Sequence, residues 1–348
     1  MFRDQGTDIR AVASDLGVRY VLQGRFMATT ERVRVTAALI DGTTGASLRS
    51  FKIDKTFDDP FQVIDDIAIG VVGELLPEIS QRERARIRRK RQGSLTAFEL
   101  YLQAIDALRK TSREACREAA GLLDQALTLQ PDLAIAHARR ATCAIQEGYS
   151  RWGDRPIEAI AAEAMEHASR ALEIDPDEAL ACDALASAYQ LVKNFAEAEY
   201  WARRAIELNP TCVAAYGTLI TVLAMQGDSE DALAFHEQLQ RISPRDPEIS
   251  SALMGACMAH FFARNMQQAA DAARRHAVLR PNWYGNRIFL AASFGHLGDT
   301  TQAARAVEKI LELEPNMTRR AHRERTVLQR PEDVELLMDG LRLAGLPE

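Results

Sequence analysis

Apolar and polar positions alternate with two different periods along the chain. Between residues 18 and 57, apolar residues recur at every second position in the runs VRYVLQGRFMATT, RVRVTAALID and ASLRSFKIDKTF. A period of two indicates β-strands, and the GTTG turn at 42–45 favours a meander of three antiparallel strands. From residue 95 onward, apolar positions recur every three to four residues, which is typical of amphipathic helices.

Two helices are predicted to flank the strands. The first spans residues 9–17, and the second opens at Pro60 and carries apolar residues at helical spacing as far as Leu75. In the middle strand, Val33, Val35, Ala37 and Leu39 share one face and are the expected core positions.

Six prolines divide the helical part of the chain into repeats. They stand at Pro131, Pro176, Pro210, Pro244, Pro281 and Pro315, each after an apolar helix end such as ALEIDP or ILELEP. Their spacings are 45, 34, 34, 37 and 34 residues. Because a proline cannot continue a helix, each one ends the second helix of a pair at the same register. The sequence therefore predicts an α-solenoid of about six helical pairs.

Small residues support this alignment. Gly148, Gly227 and Gly298 are predicted to end the first helix of a pair in the left-handed conformation. The first and fifth repeats depart from the pattern, with Asp106 and His260 where apolar residues are usual. The closing segment 331–344 has an apolar stripe and is expected to seal the last repeat; the stripe consists of Val334, Leu337, Met338 and Leu341.

These patterns together resemble a known arrangement. The runs LGVRYVLQG and VRVTAALIDG resemble the C-terminal two-thirds of a TolB-like domain, and LMDGLRLAGLPE resembles the tail of the same group. That domain precedes tetratricopeptide repeats in many bacterial class III adenylate cyclase-like proteins and winged-helix regulators. The resemblance implies a mainly α fold, an α-solenoid of about six tetratricopeptide repeats preceded by a small, truncated α/β TolB-like domain.

The expected organisation follows from this resemblance. It comprises a TolB-like domain at 1–80, a basic linker helix at 81–94, the repeat array at 95–316 and a capping segment at 317–348. Family members usually carry a further strand and helix ahead of Ile9, and a cyclase or DNA-binding domain before that. Without that strand a sheet edge is exposed, and pairing of this edge in a homodimer is one expectation.

Charge and motifs favour binding over chemistry. The net charge is −6. Basic residues are concentrated in the segment 82–91, which is interpreted either as a solvated linker helix or as a contact with nucleic acid or an anionic membrane. An acidic array disfavours nucleic acid as the partner. The sequence shows no metal-ligand spacing, no phosphate loop and no nucleophile motif, so no catalytic residue or cofactor is predicted.

Cellular location is predicted from composition. The five cysteines have no paired spacing and are interpreted as reduced packing residues. No apolar run approaches the roughly 18–20 residues of a membrane helix. A cytoplasmic location is predicted, with export left open because relatives often carry a membrane segment before this region.

Candidate binding residues come from the first helix of each pair, which lines the inner groove of such a solenoid. By register they are Arg139, Thr142, Gln146, Asp183, Ser187, Gln190 and Thr221. The second repeat is longer by an insertion at 147–156 that contains Tyr149 and Trp152. Either its aromatic residues pack against neighbouring helices, or the insertion is a loop that contributes to binding.

The leading hypothesis is a non-catalytic scaffold that holds a protein or peptide, as the regulatory part of a cyclase-like signalling system. Two alternatives stay open. In the first, the chain is the C-terminal part of an adenylate cyclase whose N-terminal domain lies elsewhere. In the second, it is the corresponding part of a winged-helix transcription regulator.

Overall fold

A computed structural model of the chain describes residues 9–15, 18–28, 32–56, 96–110, 112–150, 152–242, 249–281 and 283–348. The chain divides into two compact units, Met1–Arg82 and Glu83–Glu348. The helix predicted from Pro60 to Leu75, the basic segment 82–91 and the fourth closing proline, Pro244, lie outside the described residues. The domain boundaries inferred from the sequence stay predictions.

The described part of the first unit is a helix followed by a three-stranded sheet. Its elements are α1 (Ile9–Asp15), β1 (Tyr20–Ala28), β2 (Arg32–Asp41) and β3 (Ser47–Thr56). The strands are antiparallel in the order β1-β2-β3, so the predicted meander is confirmed.

The middle strand places its apolar face as the alternation predicts. Ala37 and Leu39 are buried, and Leu39 pairs with Leu22 across the β1–β2 ladder. The turn into β3 is closed by Asp41, whose carboxylate accepts hydrogen bonds from the main-chain N–H groups of Thr43 and Thr44. Pairing of the β1 edge with a second copy of the chain stays a prediction.

In the second unit, the described secondary structure consists of six helical pairs followed by two further helices. We number the pairs as repeats one to six. The helices are α2 (Ala97–Leu108), α3 (Arg113–Leu129), α4 (Ala134–Ser150), α5 (Ile157–Ile174), α6 (Ala179–Leu191), α7 (Phe195–Leu208), α8 (Val213–Gln226), α9 (Ser229–Ile242), α10 (Ser250–Phe262), α11 (Met266–Leu279), α12 (Gly285–Leu297), α13 (Thr300–Leu313), α14 (Arg319–Arg325) and α15 (Pro331–Leu343).

Local sequence fixes where these helices begin. Thr96 opens α2 with a capping box, in which its hydroxyl accepts from the N–H of Glu99 and the Glu99 carboxylate accepts from the N–H of Thr96. Side chains of Ser112 and Asp299 cap α3 and α13 by accepting from main-chain N–H groups of the first turn. Such caps satisfy donors that have no partner within the helix, each stabilising it by about 1 kcal/mol.

Alanine dominates the interfaces between helices. Fully buried alanines occur in every repeat, and they include Ala126, Ala136, Ala164, Ala181, Ala202, Ala215, Ala232, Ala256, Ala273 and Ala291. A methyl group lets two helices approach closely while still excluding water. The five cysteines occupy the same kind of small, buried position, which agrees with their interpretation as packing residues; they are Cys116, Cys143, Cys182, Cys212 and Cys257.

The turn between paired helices agrees with the sequence in two of three predicted places. Gly227 and Gly298 end α8 and α12 in the left-handed conformation, with φ of 98° and 72°. The prediction for Gly148 is wrong, because α4 continues through Ser150 and places this glycine inside the helix. There Gly148 is buried, and a Cβ atom would lie 3.0 Å from Leu191 Cδ1.

The C-terminal helix α15 packs on α12, the first helix of the sixth repeat. Leu337, Met338 and Leu341 of the predicted stripe are buried in the same core as α8, α10 and α12. The Nε2 atom of His296 in α12 lies 2.9 Å from the carbonyl oxygen of Leu336. The apolar stripe therefore does cover the sixth repeat.

No helix in the described part of the chain is long and apolar enough to cross a membrane.

Two glycines of the second unit give a direct test of the close packing. A Cβ atom on Gly217 of α8 would lie 2.7 Å from Ser251 Cβ and 3.1 Å from the main-chain nitrogen of Ala252 in α10. Gly121 of α3 is also inside a helix, but a Cβ atom there would have no heavy atom within 4 Å.

We expect Gly121→Ala to raise the free energy of unfolding by about 0.5–1 kcal/mol, because alanine loses less backbone entropy in a helix. Gly217→Ala should lower it by roughly 1–3 kcal/mol, because α8 and α10 must separate. Urea titration followed by circular dichroism measures both. A free energy of unfolding that Gly217→Ala raises or leaves unchanged would show that α8 and α10 do not pack this closely.

Candidate functional site

A chain of polar contacts joins the first helices of repeats two, three and four. Its centre is Thr218 of α8, whose hydroxyl donates to Asp183 Oδ1 of α6 at 2.7 Å. The Ser187 hydroxyl lies 3.2 Å from the same Thr218 oxygen. Since Thr218 uses its one proton toward the carboxylate, Ser187 donates to Thr218. These hydroxyls are buried and Asp183 is half-buried, so the bonds form where water competes poorly.

The chain of contacts continues from α6 to α4 through Gln190. Tyr149 Oη donates to Gln190 Oε1 at 2.5 Å, and Gln190 Nε2 lies 3.6 Å from Met225 Sδ of α8. We call the set Tyr149, Asp183, Ser187, Gln190 and Thr218 the polar ladder. It joins side chains from three repeats in one largely buried network, with Tyr149 exposed and Asp183 half-buried.

Tyr149 shows how the ladder combines exposure with burial. Its side chain as a whole is 42% exposed, whereas its hydroxyl is enclosed against α6. Burial raises the pKa of Tyr149, and the nearby charge of Asp183 acts in the same direction. The hydroxyl therefore stays protonated and serves as a donor, while part of the residue remains exposed.

The remaining predicted groove residues have local roles. The hydroxyls of Thr142 and Thr221 donate to main-chain carbonyls one turn back, those of Ala138 and Gly217. Gln146 has a buried amide oxygen without a hydrogen-bond partner among the described residues. Arg139 is half-buried in α4.

Arg139 also acts on the start of α6. Burial raises the pKa of Glu178 there, and the positive charge of Arg139 opposes the rise.

The insertion in repeat two differs from a simple loop. Tyr149 lies in the last turn of α4, because the added residues first lengthen that helix through Ser150. Trp152 follows the helix, is half-buried and packs against the apolar cluster of repeat one. Both aromatic residues thus contact neighbouring helices, as one of the two sequence interpretations has it. A role of this segment in binding stays a prediction.

The insertion also faces the far end of the array. It lines a polar cleft of about 280 Å³ together with residues of the sixth repeat and of α14. Glu147, Ser150 and Arg155 lie on one side, and Tyr284, Glu314 and Arg325 lie on the other. Arg155 is held by Glu147 at 3.1 Å and by Glu163 at 2.5 Å. Repeats two and six, distant in sequence, therefore approach each other at this cleft.

One histidine pair was not visible in the sequence. His137 of α4 and His167 of α5 are separated by 30 residues, and their Nδ1 atoms lie 3.2 Å apart. Burial and the charge of Arg140 lower the pKa of His167. The described residues hold no group of three or more histidine, cysteine or acidic side chains able to bind a metal.

Sequence reasoning also missed Thr218 and Lys193. Thr218 has the helical register of a core residue, and its role follows only from contacts with α6. Lys193 follows α6 in the left-handed conformation, with φ of 62°, and its ammonium donates to the main-chain oxygen of Thr326. The hydrogen bond between Lys193 and Thr326 joins residues 133 positions apart, which no local pattern indicates.

Comparisons with known proteins agree with this architecture. The family model described as tetratricopeptide repeat matches residues 179–212, which hold α6 and α7. The chain is 29% identical over 199 residues to a protein named putative adenylate cyclase 3 from Rhizobium meliloti (strain 1021), covering 57% of this chain and 34% of that protein.

Two solved structures are similar to the chain at low sequence identity. The crystal structure of the APC/C hetero-tetramer Cut9-Hcn1 matches with a TM-score of 0.54 and 14% identity, covering 79% of this chain and 48% of that one. PilW, a type IV pilus biogenesis factor, matches with a TM-score of 0.46 and 17% identity, covering 66% and 96%.

The chain thus spans about a third of the curated relative (34%) and about half of the Cut9-Hcn1 chain (48%). The repeat match and the structural likeness show that the described helices of the second unit form a solenoid of tetratricopeptide type.

The polar ladder predicts an unequal response of two threonines in α8. Thr218→Val removes the hydroxyl that joins Asp183 and Ser187, and should lower the free energy of unfolding by about 1–3 kcal/mol. Thr221→Val, one turn away, removes only a bond within its own helix and should change it by less than about 0.5 kcal/mol. Denaturant titration by circular dichroism measures the two differences. Equal effects would mean that the Thr218 hydroxyl makes no net contribution between the repeats.

Proposed function

We propose that this chain is a non-catalytic protein–protein interaction module that acts as the regulatory part of a bacterial cyclase-like signalling system. The polar ladder is the observation that carries the proposal. It sets an acidic group, hydroxyls, an amide and an aromatic ring side by side on the first helices of three repeats. Solenoids of helical pairs present such surfaces to segments of other proteins.

The rigid setting of these groups favours a binding role. Binding groups on helices are held more precisely than groups on loops. The ladder also bonds its own members to each other, so little side-chain freedom is lost when a ligand arrives. A partner segment would meet the exposed face of Tyr149 and the half-buried carboxylate of Asp183.

The relative named putative adenylate cyclase 3 supports the signalling context. It also favours one alternative, in which this chain is the C-terminal part of an adenylate cyclase whose catalytic domain lies in another segment. The chain spans 34% of that relative. In both versions the solenoid binds and the catalysis belongs elsewhere.

The test is to capture a partner with three baits, which are the unmodified chain and two variants that each lack one negative charge. The purified chain, Asp183→Asn and the matched control Glu173→Gln are each immobilised and exposed to native lysate, and bound proteins are quantified by mass spectrometry. Asp183 is the charged member of the ladder, whereas Glu173 is exposed on α5 and pairs with Arg170. We expect one protein to bind the chain and the control equally, and to bind Asp183→Asn at least about fivefold less.

The identity of that protein decides between the signalling roles. A protein with a nucleotide cyclase domain supports the regulatory role, whereas a winged-helix protein assigns the chain to transcription regulation. If every protein that binds does so equally well to all three baits, the ladder is not the binding surface and the proposal is wrong.

A further inference from the structure

Residues 326–330 (TVLQR) connect α14 to α15 in extended conformation across the ends of two earlier helices. Thr326 has φ of −65° and ψ of 141°, and Arg330 has φ of −77° and ψ of 119°. The segment lies against the C-terminal ends of α6 and α8, the first helices of repeats three and four. We call it the C-terminal strap.

Lys193, at the end of α6, contacts the strap at two points. Its ammonium donates to the main-chain oxygen of Thr326 at 3.3 Å, and its own main-chain oxygen accepts from Gln329 Nε2 at 3.0 Å. One residue of the array thus bonds both ends of a four-residue stretch.

The middle of the strap supplies apolar contacts. Leu328 is buried and Val327 is half-buried, and both pack against the core formed by α8, α10 and α12. Removal of apolar side chains from water is favourable, so Leu328 anchors the middle of the strap between its polar ends.

Arg330 ends the strap at the turn between α8 and α9. Its guanidinium occupies the space beside Gly227, where a Cβ atom would overlap it. It pairs with Glu332 at 2.7 Å and with Asp333 at 3.5 Å. The hydrogen bond to Glu332 raises the pKa of Arg330, and the charges of Asp333 and Asp228 act in the same direction.

These are the contacts by which a receptor holds an extended peptide. A main-chain oxygen is bonded, adjacent apolar side chains are buried, and polar side chains at one end fix the register. The site is also continuous with the polar ladder, since Lys193 follows Gln190 by less than one helical turn.

We propose that Lys193, Gly227 and Asp228 form a binding site for an extended peptide of a protein partner, and that the C-terminal strap occupies this site when the partner is absent. The peptide carries two adjacent apolar residues followed by an amide side chain and an arginine. This inference rests on the proposed function, because it extends the ladder surface to the adjoining turns. The partner's peptide displaces the strap, and α15 can remain packed on α12 as it does so.

The strap competes with an added peptide for the same site. A tethered segment competes at an effective concentration near the millimolar range, so it weakens binding of the same sequence added in trans. Weakening the strap's own contacts therefore strengthens binding of an added peptide.

The experiment uses the full chain and a fluorescein-labelled peptide of residues 324–333, ERTVLQRPED, with fluorescence anisotropy as readout. We expect Gln329→Ala/Arg330→Ala in the chain to bind the peptide at least about tenfold more tightly than the unmodified chain. Arg320→Ala is the matched control, because Arg320 is exposed on α14 and pairs with Glu324 of the same helix. It should leave the affinity unchanged. Adding Lys193→Ala to the double variant should weaken binding by roughly fivefold to tenfold.

Equal affinity of the unmodified chain and the double variant overturns the proposal, as does tight binding that Lys193→Ala leaves unchanged. If circular dichroism shows that the double variant is unfolded, Gln329→Ala alone decides, since Gln329 is exposed. That variant should bind the peptide about threefold more tightly, and no change overturns the proposal.

The result is separate from the partner test. A partner that depends on Asp183 while the strap variants bind the peptide no better would contradict this inference and leave the proposed function standing. Peptide binding that follows the strap variants, without a partner that depends on Asp183, would contradict the proposed function instead.

Discussion

The close approach of helices through alanine is the constraint on which the rest of the structure depends. In every repeat, fully buried alanines stand where a larger side chain would separate the two helices or the neighbouring pairs. Alanine loses no side-chain entropy on burial and favours the helix itself, so packing and helix formation act together. The prolines then give each pair a common end, and stacking of equal pairs places the first helices side by side.

This stacking brings residues that are distant in sequence into contact. The polar ladder joins α4, α6 and α8 through hydrogen bonds between partly buried groups, which hold both the repeats and the side chains in place. The C-terminal strap extends the same logic, since residues more than 130 positions from Lys193 bond to it. An array that binds its own extended segment has the geometry to bind a similar segment of another chain.

Periodicity and helix-ending residues were sufficient to predict the six pairs, the three strands and the buried stripe of α15, because each depends on local spacing. Local reasoning was wrong at Gly148, where the added residues continue α4 as a helix and do not form a turn. Asp183, Ser187 and Gln190 could be placed on α6 by register, but their partners could not. Thr218 and Lys193 owe their roles to the relative rotation of helices and to the path of the strap, neither of which has a sequence period.

Hydrogen exchange followed by mass spectrometry, with and without saturating ERTVLQRPED peptide, tests most directly whether the first helices and their adjoining turns form the binding surface. We expect slower exchange around Lys193 and Gly227, faster exchange in residues 326–330, and little change in α5, α7 and α13. Protection confined to those second helices, with unchanged exchange in 326–330, would contradict this expectation.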